Sequence, residues 1–135
     1  MKIFVDTAPF IYLIENHPVY AGKVADLVAT SLAEGNSFTT SVITILEFGV
    51  KPEKENRPEV IIKFEELLNE LEIEIKEIDK GIAVKAYQLR AKYQFLKGLD
   101  AIQIASAVTT NCESFVTNDK KLKRVEEIAV MLIES

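Results

Sequence analysis

The 135-residue sequence predicts a single α/β domain spanning residues 1–135, with three α/β/α layers around a mainly parallel sheet of about five strands. Short apolar runs rich in β-formers alternate along the chain with segments whose apolar residues recur at helical spacing. Strands separated by helices are joined by crossovers, and crossovers make neighbouring strands parallel. Two acids, Asp6 and Asp119, follow predicted strands. In parallel sheets, ligands gather outside the carboxyl ends of the strands, where strand order reverses.

Taken in order, Lys2 to Val5 is the first strand, ending in Asp6-Thr7-Ala8-Pro9. Proline is tolerated in a first helical turn, so a helix over residues 8–15 carries Phe10, Ile11, Leu13 and Ile14. Pro18 opens a second helix, with Val24, Leu27, Val28 and Leu32 at helical spacing and Gly35 just past its end. Ser37 to Thr40 is a short strand. Ser41 is a good N-cap for a helix carrying Val42, Ile45, Leu46 and Gly49, which Pro52 is expected to close. The charged stretch 51–58, with two prolines, reads as a loop. After Pro58, residues Ile61, Phe64, Leu67, Leu68 and Leu71 make one amphipathic helix face. Residues 73–78 alternate apolar and charged, the period-two mark of a strand. Asp79 caps a helix carrying Ile82, Ala86, Leu89 and Tyr93, which Gly98 breaks. Ala101, Ile104, Ala105 and Val108 mark another helix through Asn111. Ser114 to Val116 is a strand ending in Thr117-Asn118-Asp119, and a helical turn and a last strand near Ile128–Ile133 follow.

The hydrophobic content of 48% is enough for a real core. No apolar run approaches the roughly 18 residues needed to cross a bilayer. Asp6 interrupts the opening apolar run and no small-residue cleavage site follows, so the amino terminus reads as mature. Cys112 stands alone and cannot make an internal disulfide, which suits a cytoplasmic protein. The net charge of −5 is awkward for a nucleic-acid binder, because phosphate neutralisation supplies most of the affinity. An acidic chain must do something else, or gather its negative charge in one place and offset it with cations.

The positions of the acids argue for the second. Asp6 and Asp119 fall at the carboxyl edge of the predicted sheet, Glu47 sits among Ile45, Leu46 and Phe48, and Asp100 opens a largely apolar helix. Each also has a local reading. Asp100 and Asp119 suit helix N-termini for roughly 0.5–2 kcal/mol, Asp6 suits a turn, and Glu47 suits a solvated helix surface. Their joint placement around one edge tips the balance. Two like charges about 4 Å apart repel by about 4 kcal/mol at an effective dielectric near 20, so four converging carboxylates require protons or a metal. All-oxygen ligation favours Mg²⁺ or Mn²⁺. The implied chemistry is metal-assisted attack of water on a phosphodiester.

In this pattern Phe4-Val5-Asp6-Thr7, Ser41 followed by Glu47, Leu99-Asp100-Ala101 before an Ala-rich helix, and Thr117-Asn118-Asp119-Lys120-Lys121-Leu122 stand in order. They resemble the PIN-domain family, and within it the small VapC-like toxins of prokaryotic toxin–antitoxin pairs. The likeness spans essentially the whole chain. It implies a Mg²⁺- or Mn²⁺-dependent endoribonuclease with Asp6, Glu47, Asp100 and Asp119 as metal-binding catalytic acids. Thr117 would orient an acid or water, with Asn118 beside it. The resemblance further implies an RNA substrate, a cognate antitoxin and a homodimer. One departure is Ala8, where family members often carry a small polar residue; its absence removes a supporting hydrogen bond near Asp6 but no ligand.

Lys97, Lys120, Lys121, Lys123 and Arg124 flank Asp100 and Asp119, where they would either meet RNA phosphates or form a solvated surface. Tyr87, Tyr93 and Phe95 read as helix packing more readily than as base-stacking platforms. His17, in Asn-His-Pro, and Cys112 have no partners that would make them catalytic. The apolar stripes on the first two helices are candidates for a dimer or antitoxin contact. Two rival functions remain: a catalytically idle RNA- or protein-binding module of the same fold, and a phosphoryl-accepting receiver domain. Receivers pair two adjacent acids early, whereas Asp6 stands alone after its strand.

Overall fold

A computed structural model describes residues 1–134 and contains five strands, all parallel, flanked by six α-helices. Strand β1 (Lys2–Val5) leads into α1 (Thr7–Ile14) and α2 (Tyr20–Ala33), and β2 (Ser37–Ser41) into α3 (Val42–Lys54) and α4 (Pro58–Glu70). Strand β3 (Glu74–Lys76) precedes α5 (Lys80–Lys92) and α6 (Gly98–Thr109), followed by β4 (Ser114–Thr117), a 3₁₀ turn (Lys120–Arg124) and β5 (Ala129–Leu132). The strand order is β3-β2-β1-β4-β5. Chain order therefore runs one way from β1 to β3 and reverses between β1 and β4.

Alternation along β1 divides the core. Phe4 stacks on Phe115 of β4, ring centroids 5.2 Å apart, and faces Ile82, Leu89, Ile104 and Leu122 from the α5–α6 side. Ile3 and Val5 point the other way, toward Phe10, Val24, Phe48 and Phe64 from α1 to α4. A strand buried on both faces must be apolar at successive positions, as Ile3, Phe4 and Val5 are.

Several local expectations change. Pro52 does not close its helix: α3 runs on to Lys54 with Pro52 buried inside it. A proline forfeits one ladder bond, but its ring is packed here and the next carbonyls are taken up, Glu55 N–H donating to Lys51 and Arg57 N–H to Pro52. The loop expected over 51–58 shrinks accordingly. The strand expected over 73–78 pairs only through Glu74–Lys76, because β3 has a single neighbour, β2. Gly98 does not end α5, which stops at Lys92; it is the first residue of α6. Asp79 caps α5 as expected, accepting from Ile82 N–H at 2.9 Å. α2 begins at Tyr20 rather than at Pro18, and just before it His17 Nδ1 accepts from the Val19 and Tyr20 backbone N–H groups.

Surplus apolar surface lies elsewhere than α1, whose Ile11, Leu13 and Ile14 pack against the core. On α2 only Leu32 of the expected stripe is exposed, and a larger group of exposed apolar side chains is Ile45, Leu46 and Val50 of α3, Ile62 of α4 and Ile75 of β3. An apolar groove of about 450 Å³ runs beside them, lined by Ile45, Phe48, Ile61, Phe64 and Ile75.

Candidate active site

The reversal between β1 and β4 brings Asp6 next to Thr117. The Asp6 backbone N–H donates to the Val116 carbonyl at 2.9 Å, stapling the end of β1 to β4. The Asp6 side chain caps α1, Oδ1 accepting from Thr7 N–H at 2.9 Å and from Gln103 Nε2 at 3.3 Å. Oδ2 accepts from Thr117 Oγ1 at 2.9 Å. A carboxylate offers about four lone-pair positions, so Oδ2 keeps one for a further partner. Protein packs densely around this carboxyl, and that burial pushes its pKa above the ordinary value against the pull of Thr7, Thr117 and Gln103; the Glu47 charge adds to the rise.

Two of the other acids, Glu47 and Asp119, reach Asp6 through an intermediary threonine, and Asp100 acts with it through charge alone. Glu47 is exposed on α3 and accepts a 2.7 Å hydrogen bond from Thr7 Oγ1, whose backbone N–H is the one capped by Asp6. Asp119 caps the 3₁₀ turn, Oδ1 accepting from Lys121 N–H at 3.0 Å, while its own N–H donates to Thr117 Oγ1 at 3.2 Å. Thr117 is buried, and its one hydroxyl thus serves Asp6 as donor and Asp119 as acceptor. Asp100 lies in the first turn of α6 and accepts no hydrogen bond among the described residues. Its pKa is raised, first by burial and then by the charges of Asp6 and Asp119, with the Lys121 and Lys97 ammoniums pulling it back.

Among the described residues, no three Asp, Glu, His or Cys side chains form a ready-made ligand cage. Asp6 feels the charge of Glu47 and Asp100 those of Asp6 and Asp119, and the donor set of these carboxylates is all oxygen. That suits Mg²⁺ or Mn²⁺, which bind through one or two carboxylates and fill their shells with water and substrate oxygens. Zn²⁺, which favours nitrogen and sulfur, finds no His or Cys among the groups touching Asp6.

Asn118 holds the rim of the crevice together. Its Nδ2 donates to Tyr12 Oη at 3.0 Å and its Oδ1 accepts from Glu134 N–H at 3.2 Å. Of the flanking cations, Lys120 is engaged by Glu134 at 3.0 Å and the Arg124 guanidinium lies 4.1 Å above the Phe95 ring. Lys97, Lys121 and Lys123 are exposed. Tyr93 packs on the core and donates to Glu127, whereas Tyr87 is exposed. Two residues to which the sequence reading gave no role touch Asp6 or Glu47: Thr7, quoted only as part of a motif, and Gln103. Gln103 does carry a signal, being a polar residue on the apolar side of α6 one turn after Asp100.

Beyond this geometry, the sequence matches the family model of the PIN domain over residues 3–128. The chain belongs to the PIN-domain family. Its fold is similar to that of chains in several solved structures. One is VapBC2 from Rickettsia felis bound to a DNA fragment from its promoter, at 21% identity, TM-score 0.78 and 98% coverage of both chains. DNA-bound VapBC from Salmonella typhimurium gives 21% identity, TM-score 0.79 and the same coverage. VapC20 from Mycobacterium tuberculosis, described as a sarcin–ricin-loop-cleaving toxin, gives 13% identity and TM-score 0.72, covering 93% of this chain and 98% of that one. No curated protein matches the sequence. No described helix of this PIN domain is long and apolar enough to cross a membrane.

Proposed function

We propose that this PIN domain is a Mg²⁺- or Mn²⁺-dependent endoribonuclease, the toxin of a toxin–antitoxin pair. The observation that carries the reading is Asp6, packed between the ends of β1 and β4 with three donors and a spare lone pair, its charge and that of Asp119 raising the pKa of Asp100. Unneutralised carboxylates in such a place cost stability and serve no packing purpose.

Asp6, Glu47, Asp100 and Asp119 would hold the ion, and Thr117 would keep Asp6 and Asp119 oriented. When bound, the ion supplies a nucleophilic water at neutral pH and charge stabilisation for the phosphodiester. The chain's own part is to hold these oxygens and to neutralise the approaching RNA. Lys97 and Lys121, whose charges pull the Asp100 pKa down, would meet the RNA phosphates. RNA as substrate is favoured by the cleavage stated for the fold-related VapC20.

An antitoxin partner is favoured by the VapBC complexes and by the apolar groove lined by Ile45, Phe48, Ile61 and Ile75, a surface of the kind that marks protein contacts. Homodimerisation belongs to the same proposal, as does a cytoplasmic setting for the buried, unpaired Cys112 thiol.

The test is incubation of purified protein with total cellular RNA, with and without Mn²⁺, beside Asp100→Asn. Cleavage that needs Mn²⁺, stops with EDTA and falls at least about 100-fold in the variant is expected. Intact RNA after long incubation with metal would replace the enzyme by a catalytically idle binding module.

A further inference from the structure

Gln103 is 1% exposed and spends its whole amide on three partners from three elements. Nε2 donates to Thr44 Oγ1 of α3 at 2.8 Å and to Asp6 Oδ1 at 3.3 Å, and Oε1 accepts from Ser41 Oγ at the end of β2. The hydrogens of this buried cluster can be placed by elimination. Ser41 Oγ already accepts the Ile43 backbone N–H, so its hydroxyl hydrogen is free to go to Gln103 Oε1. At the other end, Thr40 Oγ1 lies 2.7 Å from the Val5 carbonyl, which can only accept, and 2.8 Å from Thr44 Oγ1. The single Thr40 hydrogen goes to Val5, so Thr44 supplies the one between the threonines and is left as an acceptor for Gln103. Both ends thus demand the same rotamer. The flipped amide would set a carbonyl against the Asp6 carboxylate and leave Ser41 without an acceptor.

We propose that Gln103 is a positioning residue: its amide, locked by Ser41 and Thr44, presents an N–H to Asp6 Oδ1 and so leaves Oδ2 as the metal-binding oxygen. This rests on the proposed metal role of Asp6. Groups that orient metal ligands typically change affinity by about 10–100-fold when lost.

Isothermal titration of Mn²⁺ into RNA-free protein reads the effect. Gln103→Met keeps the shape and removes the amide, and should bind Mn²⁺ about 10–100-fold more weakly. Leu89→Ala, a core truncation in α5, should unfold more easily yet bind Mn²⁺ like the wild type. Equal affinity in Gln103→Met and wild type overturns the inference, as does an equal loss in Leu89→Ala, which would make it a mere stability effect. Wild-type protein that binds no Mn²⁺ overturns the metal role of Asp6 as well, so the two failures are told apart. If Gln103→Met does not fold, the Gln103 side-chain amide resonances of folded wild type decide. They should shift on Mg²⁺ addition and not in Asp6→Asn; resonances that stay put in wild type overturn the inference.

Discussion

Asp100 shows what a single carboxylate costs in this PIN domain. It has no hydrogen-bond donor among the described residues, and two other acids repel it. Its folded-state pKa lies above 3.8, the ordinary value, so the folded chain holds that proton more tightly than the unfolded chain. Below 3.8 both states are protonated and no penalty exists; the penalty grows as pH climbs through the folded-state value and persists at neutrality. Asp100→Asn should therefore melt about 1–4 °C higher than wild type at about pH 7.5 without metal, the gap closing toward about pH 4. Thermal unfolding across pH checks this, and a lower melting temperature at neutral pH would contradict it. Asp6→Asn shares the direction, because burial raises Asp6 too. Much of this is legible from residues alone, since an acid in an apolar stretch or after a strand is conspicuous. The roles of Thr7 and Gln103 are not, even though Gln103 stands out as a polar residue on the apolar side of α6, because their partners lie 40 and 97 positions away.

Element by element, caps and punctuation divide into what a sequence can show and what only packing decides. Asp79 is readable because a cap acts on N–H groups within its own helix. Replacing it by Ala should lower the midpoint of urea unfolding and leave the proposed RNA cleavage unchanged, since the cap is exposed at the start of α5. Pro52 misleads because burial of its ring is a long-range fact, and the same holds for the shortened β3, whose pairing depends on its having only β2 as a neighbour. His17 hides as a cap because its imidazole is not among the usual capping groups. The parallel sheet is plain from alternation, but the strand order is not. Only that order shows Asp6 and Thr117 to be adjacent.

At the level of the whole molecule, the acidic balance and the proposed nuclease role meet in one linkage. A cation that binds only the folded protein stabilises it by about 2.7 kcal/mol at roughly one hundred times its Kd. Mn²⁺ should thus raise the melting temperature of wild type in a concentration-dependent way, and Asp6→Asn should show little or none of the rise in differential scanning fluorimetry. The strand order has another consequence. While residues 114–117 are still missing, β1 is the open edge of a three-stranded sheet, with Phe4 lacking the Phe115 ring that covers it. Such an edge is a template for wrong pairing, and late closure by distant residues makes folding slow. A nascent chain of this protein is therefore most prone to aggregate just before β4 emerges, and a fragment ending at residue 112 should sediment as aggregate where the full chain stays dispersed. The strand that completes the crevice also shields the chain from its own neighbours.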